Sequence, residues 1–201
     1  MKKTKNSTVK RIKESITQEE YKKLMSFIRG DESIKEHSRK NLLRTFTILY
    51  YTGLRLNELQ VMRLSHIKEL VEQGNTKLVL SKTKSERKLF AGDEFKKQLQ
   101  KLFTIKADTD MQERVISKGS VKSGKTGINR DVFIKQVNSK MKEILGTGYT
   151  SHSFRQGLIT EMGSRQINTK IISKFIGHSD VKTTMRYINP TDEDLKGAMI
   201  R

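Results

Sequence analysis

The chain has 201 residues, the length of one domain or at most two, with 41 Lys+Arg against 22 Asp+Glu and a formal net charge of +19. It has no cysteine, which excludes disulfides, thiol nucleophiles and thiolate metal sites, and no run of apolar residues long enough to cross a bilayer. With 34% apolar residues it can build a core, and its excess of cations points to a polyanionic partner, nucleic acid first, in the cytosol.

Residues 1–13 contain six basic residues and no acidic one, and they lack both hydrophobic periodicity and the apolar stretch of a signal peptide. They read as a disordered basic arm. Order begins at Thr17, where T-Q-E-E offers a capping box with Glu20 three residues on. Tyr21, Leu24, Met25 and Ile28 then follow helical spacing up to Gly30. A second helix is predicted over 38–52, with Leu42, Leu43, Phe46, Leu49 and Tyr50 as its buried stripe and Gly53 as its stop. A short helix carrying Leu56, Leu59 and Met62 comes next.

Segments 66–71, 76–81 and 87–91 are short and separated by Gln73-Gly74-Asn75 and by the polar stretch 82–86. They predict a small three-stranded antiparallel meander. Helical periodicity returns over 93–103, and Val115-Ile116 forms a brief extended piece before a Gly/Ser/Lys-rich loop at 117–127. Phe133, Val137, Met141 and Ile144 mark a long helix ending at Gly146. Three further helices are predicted over 152–162, 169–176 and 180–187, with Gly177 and Pro190 as punctuation. The fold class is α+β, mainly helical.

The loop at 119–126, G-S-V-K-S-G-K-T, matches the phosphate-binding pattern G-x-x-x-x-G-K-[ST]. In a P-loop NTPase Lys125 would reach phosphates and Thr126 would hold magnesium. The piece before it is too short and polar for a buried parallel strand, and no later apolar strand ends in an Asp. A basic loop facing solvent or a phosphate backbone is the simpler reading, with the NTPase kept as the lesser alternative. The four histidines, His37, His66, His152 and His178, have no zinc-like spacing, and no metal or cofactor is expected.

Five other segments share one chemical theme. T-G-L-R-L-N-E-L places Arg55 and Glu58 three apart, and H-S-F-R does the same for His152 and Arg155. F-I-G-H puts His178 beyond a helix end, M-R-Y brings Tyr187 nine residues later, and S-K-T-K-S-E-R presents Lys82 in a turn. Singly, these are a surface salt bridge, a helix-end histidine, a core tyrosine and a solvated lysine.

Together and in this order they resemble the tyrosine recombinase (phage integrase) family over about residues 14–199. The resemblance implies a catalytic domain over 14–187 acting on double-stranded DNA by strand cleavage and rejoining, without metal or cofactor, as part of a homo-tetramer on two duplexes. Arg55 and Arg155 would clamp phosphate oxygens, and His178 would donate a further hydrogen bond. Tyr187 would attack the scissile phosphate with His152 as proton acceptor, and Lys82, or Lys84 as fallback, would protonate the 5′-oxygen. Glu58 would orient Arg55 or His152. Lys84, Arg87, Lys118, Lys122, Lys125 and Arg130 are candidates for DNA-backbone contact.

Only 54 residues precede Arg55, so the upstream core-binding domain usual in the family is expected to be missing, in a fragment or a short single-domain member. Residues 188–201 form a tail that either packs on its own domain or is exchanged between protomers. Other readings are a type IB topoisomerase, which shares the tyrosine chemistry, and a non-catalytic DNA-binding regulator on the same scaffold.

Overall fold

The computed structural model describes residues 14–80, 86–118, 128–178 and 180–188. Helix α1 (Gln18–Gly30) starts at the expected box: Thr17 Oγ1 accepts from the Glu20 amide, and the Glu20 carboxylate accepts from the Thr17 amide. Its buried face is Tyr21, Leu24, Met25 and Ile28. Helix α2 (Glu36–Thr52) begins two residues before its predicted start and ends at Gly53, whose φ of 57° is left-handed. A side chain at that φ would be strained, so glycine closes the helix at the least cost.

Helix α3 (Leu56–Leu59) follows directly, and helix α4 (Leu64–Glu72) comes next. This corrects the expected first strand, since residues 66–71 are helical. The physical reason is spacing: Leu64, Ile67 and Leu70 recur every three residues and are all buried, which only a helix achieves. His66 Nδ1 accepts the Arg63 amide at 2.9 Å and fixes the helix start.

The sheet among the described residues therefore has two strands, not three. Strand β1 (Asn75–Val79) pairs antiparallel with β2 (Glu86–Phe90), from Asn75↔Phe90 to Val79↔Glu86. Thr76, Leu78, Arg87 and Leu89 point inward, and their neighbours along each strand are more exposed. Residues 81–85 between the strands, which include Lys82 and Lys84, lie outside the described residues.

Helix α5 (Asp93–Leu102) buries Phe95 and Leu99, and helix α6 (Arg130–Leu145) buries the predicted stripe Phe133, Val137, Met141 and Ile144. Helices α7 (Ser151–Ser164), α8 (Thr169–Ile176) and α9 (Val181–Met185) complete the order. Helix α8 spans its predicted residues; α9 is shorter than predicted, so Arg186 and Tyr187 sit in a turn held by the Tyr187 amide on the Thr184 carbonyl.

The core is organised on α2, which packs on α1, α5 and α7, with Phe46 stacked on Phe154 at 5.7 Å between ring centroids. A smaller cluster of Ile159, Ile172 and Ile176 locks α8 onto α7. At Arg114–Ile116 the chain runs beside the end of α3, with an Arg63↔Arg114 antiparallel bridge and the Val115 amide on the Met62 carbonyl. Among the described residues no parallel sheet precedes residues 119–126, which themselves lie outside them. Residues 1–13 and 189–201 also lie outside them. Among the described residues no helix is long and apolar enough to cross a membrane.

Candidate active site

The turn T-G-L-R is where the site is assembled, because its backbone serves two distant guanidinium groups. The Thr52 carbonyl accepts from Arg87 Nη2 at 2.8 Å, and the Gly53 carbonyl accepts from Arg155 Nη1 at 2.9 Å. Both are free carbonyls at the C-terminal end of α2, where the helix carries partial negative charge. Thr52 Oγ1 donates to the Ile48 carbonyl and accepts the Leu54 amide, which fixes the turn.

Arg55 caps α3 together with Glu58. The Glu58 carboxylate accepts the Arg55 amide at 2.9 Å and Arg55 Nη1 at 2.8 Å, and it also accepts Arg87 Nη1 at 2.6 Å. Burial pushes the Glu58 carboxyl up, but the Arg55 amide, Arg87 and the Arg55 guanidinium outweigh it and hold the group below its ordinary value. Arg55 is exposed, so its guanidinium is held on one side and open to solvent on the other.

Arg155 lies on α7 and is 5% exposed. Its Nε donates to His178 Nε2 at 3.3 Å, and its Nη2 is buried without a partner among the described residues. Burial, with Arg55 and Arg87 nearby, lowers its guanidinium to about 9, which leaves it charged at neutral pH. A buried cation with an unused donor is complementary to an anion.

His178 follows α8 at the left-handed Gly177. Because its Nε2 accepts from Arg155, the ring proton belongs on Nδ1, which faces the buried Thr184 Oγ1 at 2.8 Å. The resemblance implies that His178 donates a hydrogen bond to a phosphate oxygen; here its Nε2 is turned to Arg155. Burial, then Arg155, Arg55 and Arg87, lower the imidazole to about 4. An unfolded histidine titrates near 6.5. Between those values the unfolded chain binds a proton that the folded one refuses, so stability is lost as pH falls from about 6.5 toward 4. The melting temperature should drop over that window, and His178→Asn should flatten the drop; an unchanged slope counts against it.

His152 is exposed on α7 and lines a shallow crevice with Arg55 and Arg155. Tyr187, 36% exposed, sits in the turn after α9, its amide on the carbonyl of Thr184, whose hydroxyl meets His178. A groove of about 1050 Å³ lies by Tyr21, Tyr50 and Gly157 and shares no residue with this cluster.

The structure thus brings together Arg55, Glu58, Arg155 and His178, with His152 and Tyr187 at the margin. Lys82, Lys84, Lys122 and Lys125 lie outside the described residues; Lys118 and Arg130 are exposed on either side of 119–127. Arg87 differs from its expected place on the DNA-backbone surface. It is 5% exposed and is committed to Glu58 and Thr52. The strand alternation that buries Leu89 also buries Arg87, a signal present in S-E-R-K-L-F. Thr184 carried no such signal.

Fold and cluster define a mainly helical scaffold built around three arginines. The chain belongs to the phage integrase family, whose model matches residues 14–194. It is 29% identical over 169 residues to the tyrosine recombinase XerC of Treponema denticola, covering 75% of this chain and 52% of that protein. To the tyrosine recombinase XerA of Pyrococcus furiosus it is 27% identical over 192 residues, covering 96% of this chain and 63% of that one. Its fold matches that of the Tn1549 transposon integrase in complex with a circular intermediate DNA. The TM-score is 0.64 at 18% identity, over 96% of this chain and 66% of the other. The chain spans about half to two thirds of the length of these relatives.

Proposed function

We propose that this domain cleaves and rejoins double-stranded DNA at specific sites through a 3′-phosphotyrosyl intermediate on Tyr187. The observation that carries the reading is the convergence of Arg55, Arg155 and His178 from three separate segments, with the Tyr187 turn beside them. A scissile phosphate held by two guanidinium cations presents its phosphorus to a nucleophile from the α9 turn. The Tyr187 Oη–phosphorus bond forms as the phosphorus–5′-oxygen bond breaks. The phenolic proton passes to His152, and Lys82 supplies one to the leaving oxygen, with Lys84 as fallback. The phosphodiester is exchanged rather than hydrolysed, so rejoining needs no external energy source.

His178 can serve as a phosphate donor only with its proton on Nε2. Thr184 supports this, because a hydroxyl can accept from Nδ1–H or donate to Nδ1. The exposed cations Lys118 and Arg130, together with Lys122, Lys125 and the 1–13 arm, would follow the DNA backbone. DNA as partner is supported by the integrase complex of the same fold. Assembly is proposed as a tetramer on two duplexes in a cytoplasmic DNA compartment, with residues 188–201 packing in cis or exchanged.

The test is incubation with a suicide duplex nicked beside the cleavage site, then denaturing electrophoresis. A covalent protein–DNA adduct formed in the presence of chelator and without ATP is expected. No adduct on any duplex carrying the site flanking the gene, with an upstream domain supplied, overturns the reading.

A further inference from the structure

We infer that Arg87 is a positioning residue for strand cleavage, neutralising Glu58 so that Arg55 and Arg155 keep their positive charge for the scissile phosphate. The inference rests on the strand-cleavage reading and adds a residue to it. Arg87 makes two charge-assisted contacts, with the Glu58 carboxylate at 2.6 Å and the Thr52 carbonyl at 2.8 Å. Its stem lies against the turn that carries His178, since a Cβ built on Gly177 would come within 3.3 Å of Arg87 Cδ. One side chain on β2 therefore touches the T-G-L-R turn, Glu58 and the His178 turn.

The charge count explains why an arginine belongs there. Arg55, Arg87 and Arg155 contribute three positive charges and Glu58 one negative, a net +2. A phosphodiester attacked by a tyrosinate approaches two negative charges in the transition state. Without Arg87 the net charge falls to +1, and the whole Glu58 charge rests on Arg55. Arg55 would then be paired internally, and the carboxylate would repel phosphate. A clasp that only held β2 to α2 would need no charge, because apolar residues of similar volume serve such a place as well or better.

The experiment measures the rate of adduct formation on two suicide duplexes, one with an ordinary scissile phosphate and one with an uncharged methylphosphonate there. Arg87→Met is expected to slow the phosphate duplex by about 10²-fold, the scale of losing one stabilising group. On the methylphosphonate, which develops one negative charge fewer, the same variant should lose less than about 10-fold by that reasoning. Arg87→Met with Glu58→Gln restores the net +2 and should recover most of the loss. Equal losses on both duplexes, or a double variant no faster than the single, overturn the inference. Where Arg87→Met does not fold, Arg87→Lys keeps the charge. It should stay within about 10-fold of wild type on the phosphate duplex, and an unrelieved larger loss on both duplexes overturns the inference. Failure of the wild type to form any adduct strikes the strand-cleavage reading instead, so the two failures are distinct.

Discussion

Tyr187→Phe should form no covalent adduct on the suicide duplex, while it folds and binds DNA as the wild type does. The substitution removes one oxygen from a side chain that is 36% exposed, so no cavity opens and no buried partner is orphaned. A surface change of this kind alters stability by less than about 0.5 kcal/mol. The loss in rate has no such limit. Removing a covalent nucleophile costs on the order of 10⁶-fold, which puts the adduct below detection. The other four tyrosines make poor substitutes: burial raises Tyr21, Tyr50 and Tyr51, and a hydrogen bond to Glu20 raises Tyr149. A residual adduct in Tyr187→Phe would move the nucleophile elsewhere and sink the assignment.

Gly157→Ala should lower the melting temperature, against the usual gain from replacing a helical glycine. Gly157 lies within α7, and alanine there would gain about 1 kcal/mol of helix propensity. The new methyl would fall 2.1 Å from the Ile16 carbonyl oxygen, however, and 3.0 Å from the Ile16 carbonyl carbon and amide nitrogen. Those atoms are backbone, so no rotamer relieves the contact. The segment leading into α1 is pinned there, with the Ile16 amide on the Ser153 carbonyl at 3.0 Å and the Ile16 side chain 4% exposed. Overpacking of this kind costs about 3 kcal/mol, which exceeds the propensity gain and leaves a net loss of about 2 kcal/mol. At this chain length the melting temperature should fall by roughly 4–8 °C. A rise on calorimetry would show that the segment moves aside freely.

The parts of this fold that could be read in one dimension are those whose reasons are local. The Thr17–Glu20 box and the Asn168–Gly177 caps of α8 depend on neighbours within four residues, and both ends fall where expected. Residues 66–71 were harder, because Ile67, Leu70 and Val71 lie in a short run near Gly74 that suits a strand equally well. Packing of α4 on α5 and β1 decides for a helix. The same division runs through the site. Arg55 with Glu58, and His152 with Arg155, show as spacings of three. The Gly53 carbonyl that holds Arg155 lies 102 residues away, and nothing in the sequence announces it. Arg87 reads as a candidate for DNA-backbone contact, but its place in the strand alternation turns it inward.

Two arginines from the far halves of the chain hang on consecutive carbonyls at the end of α2. The helix pole that repels anions thereby holds the cations that would attract one. Those two carbonyls also turn as one body with the helix. Adding or deleting a single residue inside α2 would rotate its last turn by about 100° and carry both anchoring points away together. The end of α2 is thus the mechanical datum from which the rest of the cluster is measured.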